Sequence, residues 1–205
     1  MSQETIQDLM GLLDFIKVNN KPLDQLLEEY EYFSLAKNGE VWSDKILNKH
    51  IDPNTPNTIF ELGTGIGSGT VWMSENLCLH ADSIIHTAGI DPKNGIDKFA
   101  RQRLEKYNNV VYYNEYGNSV IKRLGLMYDM IYIDGTHKYL ATLNDAKLSL
   151  KCLKENGIIV FDDYQIEWPG VVQAVDEFVA IYKLELERIS PQQALVKRGE
   201  LSNGV

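Results

Sequence analysis

Ile59-Phe60-Glu61-Leu62-Gly63-Thr64-Gly65-Ile66-Gly67-Ser68-Gly69 is the stretch that decides the fold: an apolar run ends in an acid and passes directly into a glycine-rich turn. The run predicts a strand, and Thr70 to His80, with Val71, Trp72, Leu77 and Leu79 among polar neighbours, predicts the helix after it. Glycines at 63, 65 and 67 remove the Cβ atoms that would hold a ligand off the backbone, and they permit turns that other residues avoid. The backbone itself becomes a binding surface, with the first amides of the helix pointing into it.

Outward from this turn, short apolar runs bounded by Gly, Asn, Asp or Pro predict strands near 57–62, 84–90, 109–114, 127–133 and 156–161, with helices between them. Asn156-Gly157 is expected to close the helix that begins at Leu140 and runs to Leu153. Such alternation implies an α/β, doubly wound, Rossmann-like fold with a parallel sheet covered on both faces. The pattern changes near the end, where a helix over 171–182 precedes two short strands, Leu184-Glu185-Leu186 and Ala194-Leu195-Val196. Residues 1–50 carry three helical patterns, about 4–18, 22–36 and 41–49, punctuated by Pro22 and Gly39. They predict a helical extension, a substrate cover or oligomer contact, ahead of a domain over 51–205. Tyr30, Tyr32 and Trp42 either line an acceptor pocket there or pack the helices onto the sheet.

Composition fits one globular domain, since 205 residues with 44% hydrophobic content bury a sizeable core. A formal net charge of −9 argues against nucleic acid as the partner, because phosphate backbones draw clustered Lys and Arg. Met1 to Met10 is polar and acidic, and no apolar run approaches about 18 residues, so a cytoplasmic protein without a membrane partner is expected. Cys78 and Cys152, far apart on predicted helices, read as free thiols. A homo-oligomer stays open.

The spacing of the glycines tests the ligand. A dinucleotide fingerprint begun at Gly63 needs glycine at 68, and begun at Gly65 it needs glycine or alanine at 70; the chain has Ser68 and Thr70. A nicotinamide oxidoreductase is therefore disfavoured. Glu61 stands where an amino-bearing ligand could meet it, which favours S-adenosylmethionine, a ligand with an amino group and a sulfonium but no pyrophosphate.

The motif Glu61-Leu62-Gly63-Thr64-Gly65-Ile66-Gly67 resembles the first motif of class I S-adenosylmethionine-dependent methyltransferases. Tyr128 to Tyr139, followed by Gly157 to Tyr164, resembles the fourth and fifth strands of their small-molecule O-methyltransferase branch. The resemblance runs in order from about Asn57 to about Tyr182 and implies a seven-stranded, mainly parallel sheet with an antiparallel C-terminal strand. Cofactor residues are then expected at Gly63, Thr64, Gly65, Gly67 and Asp134. Asp91 is expected to accept hydrogen bonds from the ribose hydroxyls, Glu61 to meet the amino acid end, and Gly117-Asn118-Ser119 to border the adenine.

Asp134, Asp162 and Asp163 end neighbouring strands about 5 Å apart and are expected to share a divalent metal, with magnesium, manganese or calcium suiting oxygen ligands. Catechol-type enzymes hold a metal at these strand ends but carry an amide where this chain has Asp163; in that respect the chain is closer to three-aspartate sugar O-methyltransferases. His137 is the expected base, at the position where the catechol-type family has lysine, with Lys138 as the near alternative. Tyr164 and Trp168 are candidates for the acceptor wall. The resemblance thus implies methyl transfer to a hydroxyl of a small molecule. Metal-free methylation, in which the acids only orient the acceptor, and a non-catalytic cofactor-binding protein remain alternatives.

Overall fold

The computed structural model describes residues 39–90 and 96–197. The chain divides into two compact units, Met1–Glu40 and Val41–Val205, and the second carries the fold. The helices expected at 4–18 and 22–36, with Tyr30 and Tyr32, lie outside the described residues, as does Asp91.

Seven strands form one sheet: β1 (Thr58–Leu62), β2 (Ile84–Ala88), β3 (Val110–Tyr113), β4 (Tyr128–Ile133), β5 (Leu153–Phe161), β6 (Glu185–Arg188) and β7 (Ala194–Lys197). Their order is β3-β2-β1-β4-β5-β7-β6. The first five are parallel, and β7 runs antiparallel between β5 and β6. Helices α1 (Ser68–Asn76), α2 (Ile96–Leu104), α3 (Gly117–Leu124), α4 (Tyr139–Lys151) and α5 (Pro169–Tyr182) make the crossovers. Because β2 and β4 flank β1 on opposite sides, the connections diverge there and open a crevice above the strand ends.

Successive residues of a strand face opposite sides, so β1 supplies Ile59 to one core and Phe60 to the other. Phe60 joins Val120, Ile121, Phe161 and Phe178 beneath α3, α4 and α5. Ile59 joins Trp42, Ile46, Met73, Leu77 and Tyr132 on the opposite face. Register aligns Leu62 with Ala88 and Ile133, and Ile133 with Phe161, so the residues just beyond four strands meet at one edge.

Trp42 belongs to the core rather than to an acceptor wall. It is buried edge-on against Trp72 and Tyr132, and its Nε1 donates to Gln193 Oε1 at 2.8 Å. Asn156-Gly157, expected to end a helix, lies inside β5 instead, where the pairing shifts from Tyr128↔Leu153 to Met130↔Ile158. The helix stops at Lys151, and the irregular register absorbs the turn-like dipeptide within the strand. Cys78 and Cys152 are free thiols, each one or two residues past a helix end rather than within it.

Phe178 sits fully buried among these groups. Phe178→Ala is expected to cost about 3–5 kcal/mol in urea unfolding, with the sheet's circular dichroism retained; a loss below about 1 kcal/mol would contradict this packing.

Candidate functional site

The glycine turn is built by a close approach between strand ends. Gly63 has φ +105° and donates its N–H to Ala88 O at 2.9 Å. A Cβ there would stand 1.8 Å from the carbonyl oxygen of Asp134, so only glycine lets the end of β1 lie against the end of β4. Asp134 N–H in turn donates to Leu62 O at 2.8 Å. Gly67 caps α1 and donates to Thr64 O at 2.8 Å.

Above this turn lies a cavity of about 640 Å³, a size suited to a small organic ligand. Its floor is Leu62, Gly63, Thr64 and Gly65 of the turn; Ala88, Gly89 and Ile90 after β2 form one side, and Asp134, Gly135 and Thr136 after β4 the other. Tyr116, Gly117 and Asn118 close the far end with Ala141, Asn144 and Asp145 of α4. Of the expected cofactor residues, Gly63, Thr64, Gly65, Asn118 and Asp134 line this cavity. Gly67 faces Leu104 instead. Ser119 is exposed outside the lining, its Oγ 3.5 Å from Asn118 Oδ1.

Glu61 departs from its expected place at the cavity surface. It is buried beneath the turn, where Thr70 Oγ1 donates to Oε2 and Thr87 Oγ1 donates to the same oxygen at 2.5 Å. Thr64 and Thr87 hydroxyls lie 2.7 Å apart, so the acid braces the turn from below. Burial pushes its pKa from 4.5 to about 7, against the two hydroxyl hydrogen bonds that pull it down.

The residues beyond β4 and β5 gather a second group. Asp134, His137 and Asp163 each offer a ligand atom, and all these atoms lie within 4.8 Å of one another. His137 Nε2 is 2.6 Å from Asp163 Oδ2, and its ring stacks on Trp168 with centroids 3.8 Å apart. Asp163 holds φ +55°, a conformation that Asp tolerates and that often marks a functional turn. Burial, with Asp162, Asp163 and Glu61 nearby, holds Asp134 well above the usual carboxylate range. Asp162, expected as a metal ligand, stands outside the group: its Oδ1 accepts from Gln193 Nε2 at 2.8 Å. Burial and Asp163 push its pKa up as well. His137, expected as the base, stands inside, whereas Lys138 is exposed and outside. Tyr164 is not an acceptor wall: it is buried, its hydroxyl donates to Asp176 Oδ1 at 2.7 Å, and Arg188 covers its ring.

Ligand atoms around one cation with bonds near 2.1 Å stand roughly 3–4 Å apart; the three here lie within 4.8 Å, and the His137–Asp163 pair, in contact at 2.6 Å, would open slightly to admit an ion. Two carboxylates and an imidazole suit magnesium or manganese with water completing the shell.

Sequence reasoning missed Tyr116, Asn144 and Asp145. Ala141, Asn144 and Asp145 are spaced three and four apart, so they share one helix face, and that spacing was the available signal. Asp145 faces the cavity with its pKa raised to about 6 by burial.

Because the folded pKa of Glu61 exceeds its ordinary 4.5, the folded chain keeps a proton that the unfolded chain has released between about pH 4.5 and 7. The group's contribution to stability is full below about pH 4.5 and is lost as pH rises through about 7. Glu61→Gln is expected to remove this fall, on the order of 3 kcal/mol, in urea unfolding compared at about pH 5 and pH 8. Equal pH slopes in parent and variant would contradict the buried, proton-holding acid.

Residues 60–164 match the family model described as a methyltransferase domain. Uncharacterized protein R132 of Acanthamoeba polyphaga mimivirus is 34% identical over 158 residues, 65% of this chain and 67% of that one. Phosphoethanolamine N-methyltransferase of Plasmodium falciparum (isolate 3D7) is 26% identical over 153 residues, covering 71% of this chain but only 54% of that protein, about half its length. A putative caffeoyl-CoA O-methyltransferase from Staphylococcus aureus superposes with a TM-score of 0.62 at 17% identity, covering 94% of this chain and 100% of that one, a likeness of fold. With the strand order, the glycine turn and the family match in agreement, the chain belongs to the methyltransferase domain family, on the class I fold of S-adenosylmethionine-dependent enzymes.

Proposed function

We propose that the chain transfers a methyl group from S-adenosylmethionine to a hydroxyl of a small molecule, with a divalent cation held by Asp134, His137 and Asp163. One observation carries this reading: Asp134 belongs both to the cavity lining and to the carboxylate–imidazole group. An acceptor oxygen seated at that group lies beside the end of the cavity that would hold the sulfonium.

The chain's own residues then bind and align. Gly63, Thr64 and Gly65 give backbone to the cofactor, Asn118 reaches its far end, and Asp91 remains the proposed ribose partner. Asp134 and Asp163 fix the acceptor oxygen in line with the methyl carbon, the alignment that a displacement needs. The oxygen forms the new bond to the methyl carbon as the carbon–sulfur bond breaks, and S-adenosylhomocysteine leaves. A cation held there would ease loss of the acceptor's hydroxyl proton to solvent water, leaving the more nucleophilic oxyanion to take the methyl group. Asp162 and Glu61 brace the site without touching reactants, since Gln193 and the two threonines hold their carboxylates.

The 2.6 Å contact between His137 and Asp163 favours a second, metal-free reading, in which Asp163 orients the imidazole and His137 takes the acceptor's proton. Radiolabelled methyl transfer onto catechols, phenols, sugar hydroxyls and, because one relative is an N-methyltransferase, simple amines tests both. Chelation is expected to abolish transfer and magnesium or manganese to restore it, with Asp163→Asn lowering the rate on the order of 100-fold while S-adenosylhomocysteine affinity is kept. Transfer indifferent to chelator but lost in His137→Asn would replace the first reading with the second. Cofactor affinity lost in Asp163→Asn would remove Asp163 from the acceptor side.

A further inference from the structure

The imidazole of His137 is held from directions that its own loop does not supply. One is the indole of Trp168, stacked on it at 3.8 Å with an interplanar angle of 25°. The other is the first turn of α5: a Cβ on Gly170 would stand 2.6 Å from the carbonyl oxygen of His137 and 3.0 Å from the amide nitrogen of Tyr139. Only a residue without a side chain lets the helix lie this close to the backbone of 137–139.

Trp168 is itself fixed at both ends. Its N–H donates to Gln165 O at 3.0 Å, and Gln165 N–H donates to Asp163 O at 2.8 Å, so a run of turns ties the indole back to the acid. Forward, its carbonyl accepts from Val171 N–H at 2.9 Å and anchors it to α5. The loop after β4 is pinned on its other side, where Thr142 Oγ1 donates to Thr136 O at 2.9 Å. Tyr139 O–H donates to Glu177 and ties the first residue of α4 to α5.

We propose that Trp168 and Gly170 are positioning residues for His137, locking the loop after β4 to the loop after β5 so that Asp134, His137 and Asp163 keep one spacing. The indole sets the plane of the imidazole, and the bare backbone at 170 sets its depth. Neither residue belongs to the ligand group itself. The proposal rests on the reading of His137 as a reacting or cation-holding group, and it holds whether a cation or a proton is what His137 handles.

Histidine-labelled protein tests it without an acceptor. The His137 ring resonances, assigned through His137→Asn, are expected to be displaced upfield by the indole; Trp168→Phe keeps a displacement and Trp168→Leu loses it. Gly170→Ala is expected to shift the same resonances, although at a helix position with ordinary backbone angles this change normally stabilises. Calorimetric Mn2+ affinity is expected to fall about tenfold or more in Trp168→Leu and Gly170→Ala and to recover in Trp168→Phe. S-adenosylhomocysteine affinity stays at the parent value in Trp168→Leu, while the melting temperature falls by no more than the few degrees that lost packing against the core costs. His137 resonances unchanged in Trp168→Leu, or cofactor affinity falling together with Mn2+ affinity, would overturn the proposal. A parent protein that takes up no Mn2+ would defeat the cation reading alone, and the His137 resonances would still decide this one.

Discussion

The contact of Gly63 with the backbone of Asp134 is the constraint on which the rest depends. Two parallel strands can be neighbours without their following loops touching, and here they touch because position 63 has no side chain and a left-handed φ. That approach brings the cofactor-facing turn after β1 and the acid after β4 to one place. Asp134 thereby belongs to two neighbourhoods, the cavity and the carboxylate–imidazole group, and the proposed transfer of a methyl group to a hydroxyl runs across it.

Electrostatics divides the four acids by what satisfies them. Glu61 takes two threonine hydroxyls and Asp162 takes Gln193, so protein donors answer both. Among the described residues, the Asp134 carboxylate meets the hydroxyl of Tyr132 at 3.4 Å, and Asp163 meets the imidazole of His137 and, at 3.4 Å, the side-chain amide of Gln165. Crowded carboxylates raise one another's pKa and favour a proton or a cation between them. Asp134 lines the cavity, and Asp163 offers a carboxylate oxygen within 4.8 Å of its own, so the pair stands beside the cavity.

Much of this was legible in the chain. Apolar runs ending in Gly, Asp or Asn located the strands, and acids at 134, 162 and 163 lay at strand ends as expected. What failed was depth and facing. Asp162 and Asp163 are adjacent, and adjacent residues leaving a strand point apart, so one turned to Gln193 and the other to His137. Glu61 is next to Leu62, which lines the cavity, and the same alternation sends its carboxylate beneath the turn. The pocket face of α4, with Asn144 and Asp145, depended on how that helix settles on the sheet, which periodicity does not contain. Trp168 and Gly170 were harder still, because a stack and a missing side chain acquire meaning only when two loops far apart in sequence meet.

The most direct test of the account is a calorimetric titration of S-adenosylhomocysteine into the protein, with NAD as the comparison ligand and with and without magnesium. The account predicts micromolar, one-to-one binding of S-adenosylhomocysteine and none of NAD. Binding of NAD in its place, or of neither ligand, would contradict the reading of the glycine turn on which the site is built.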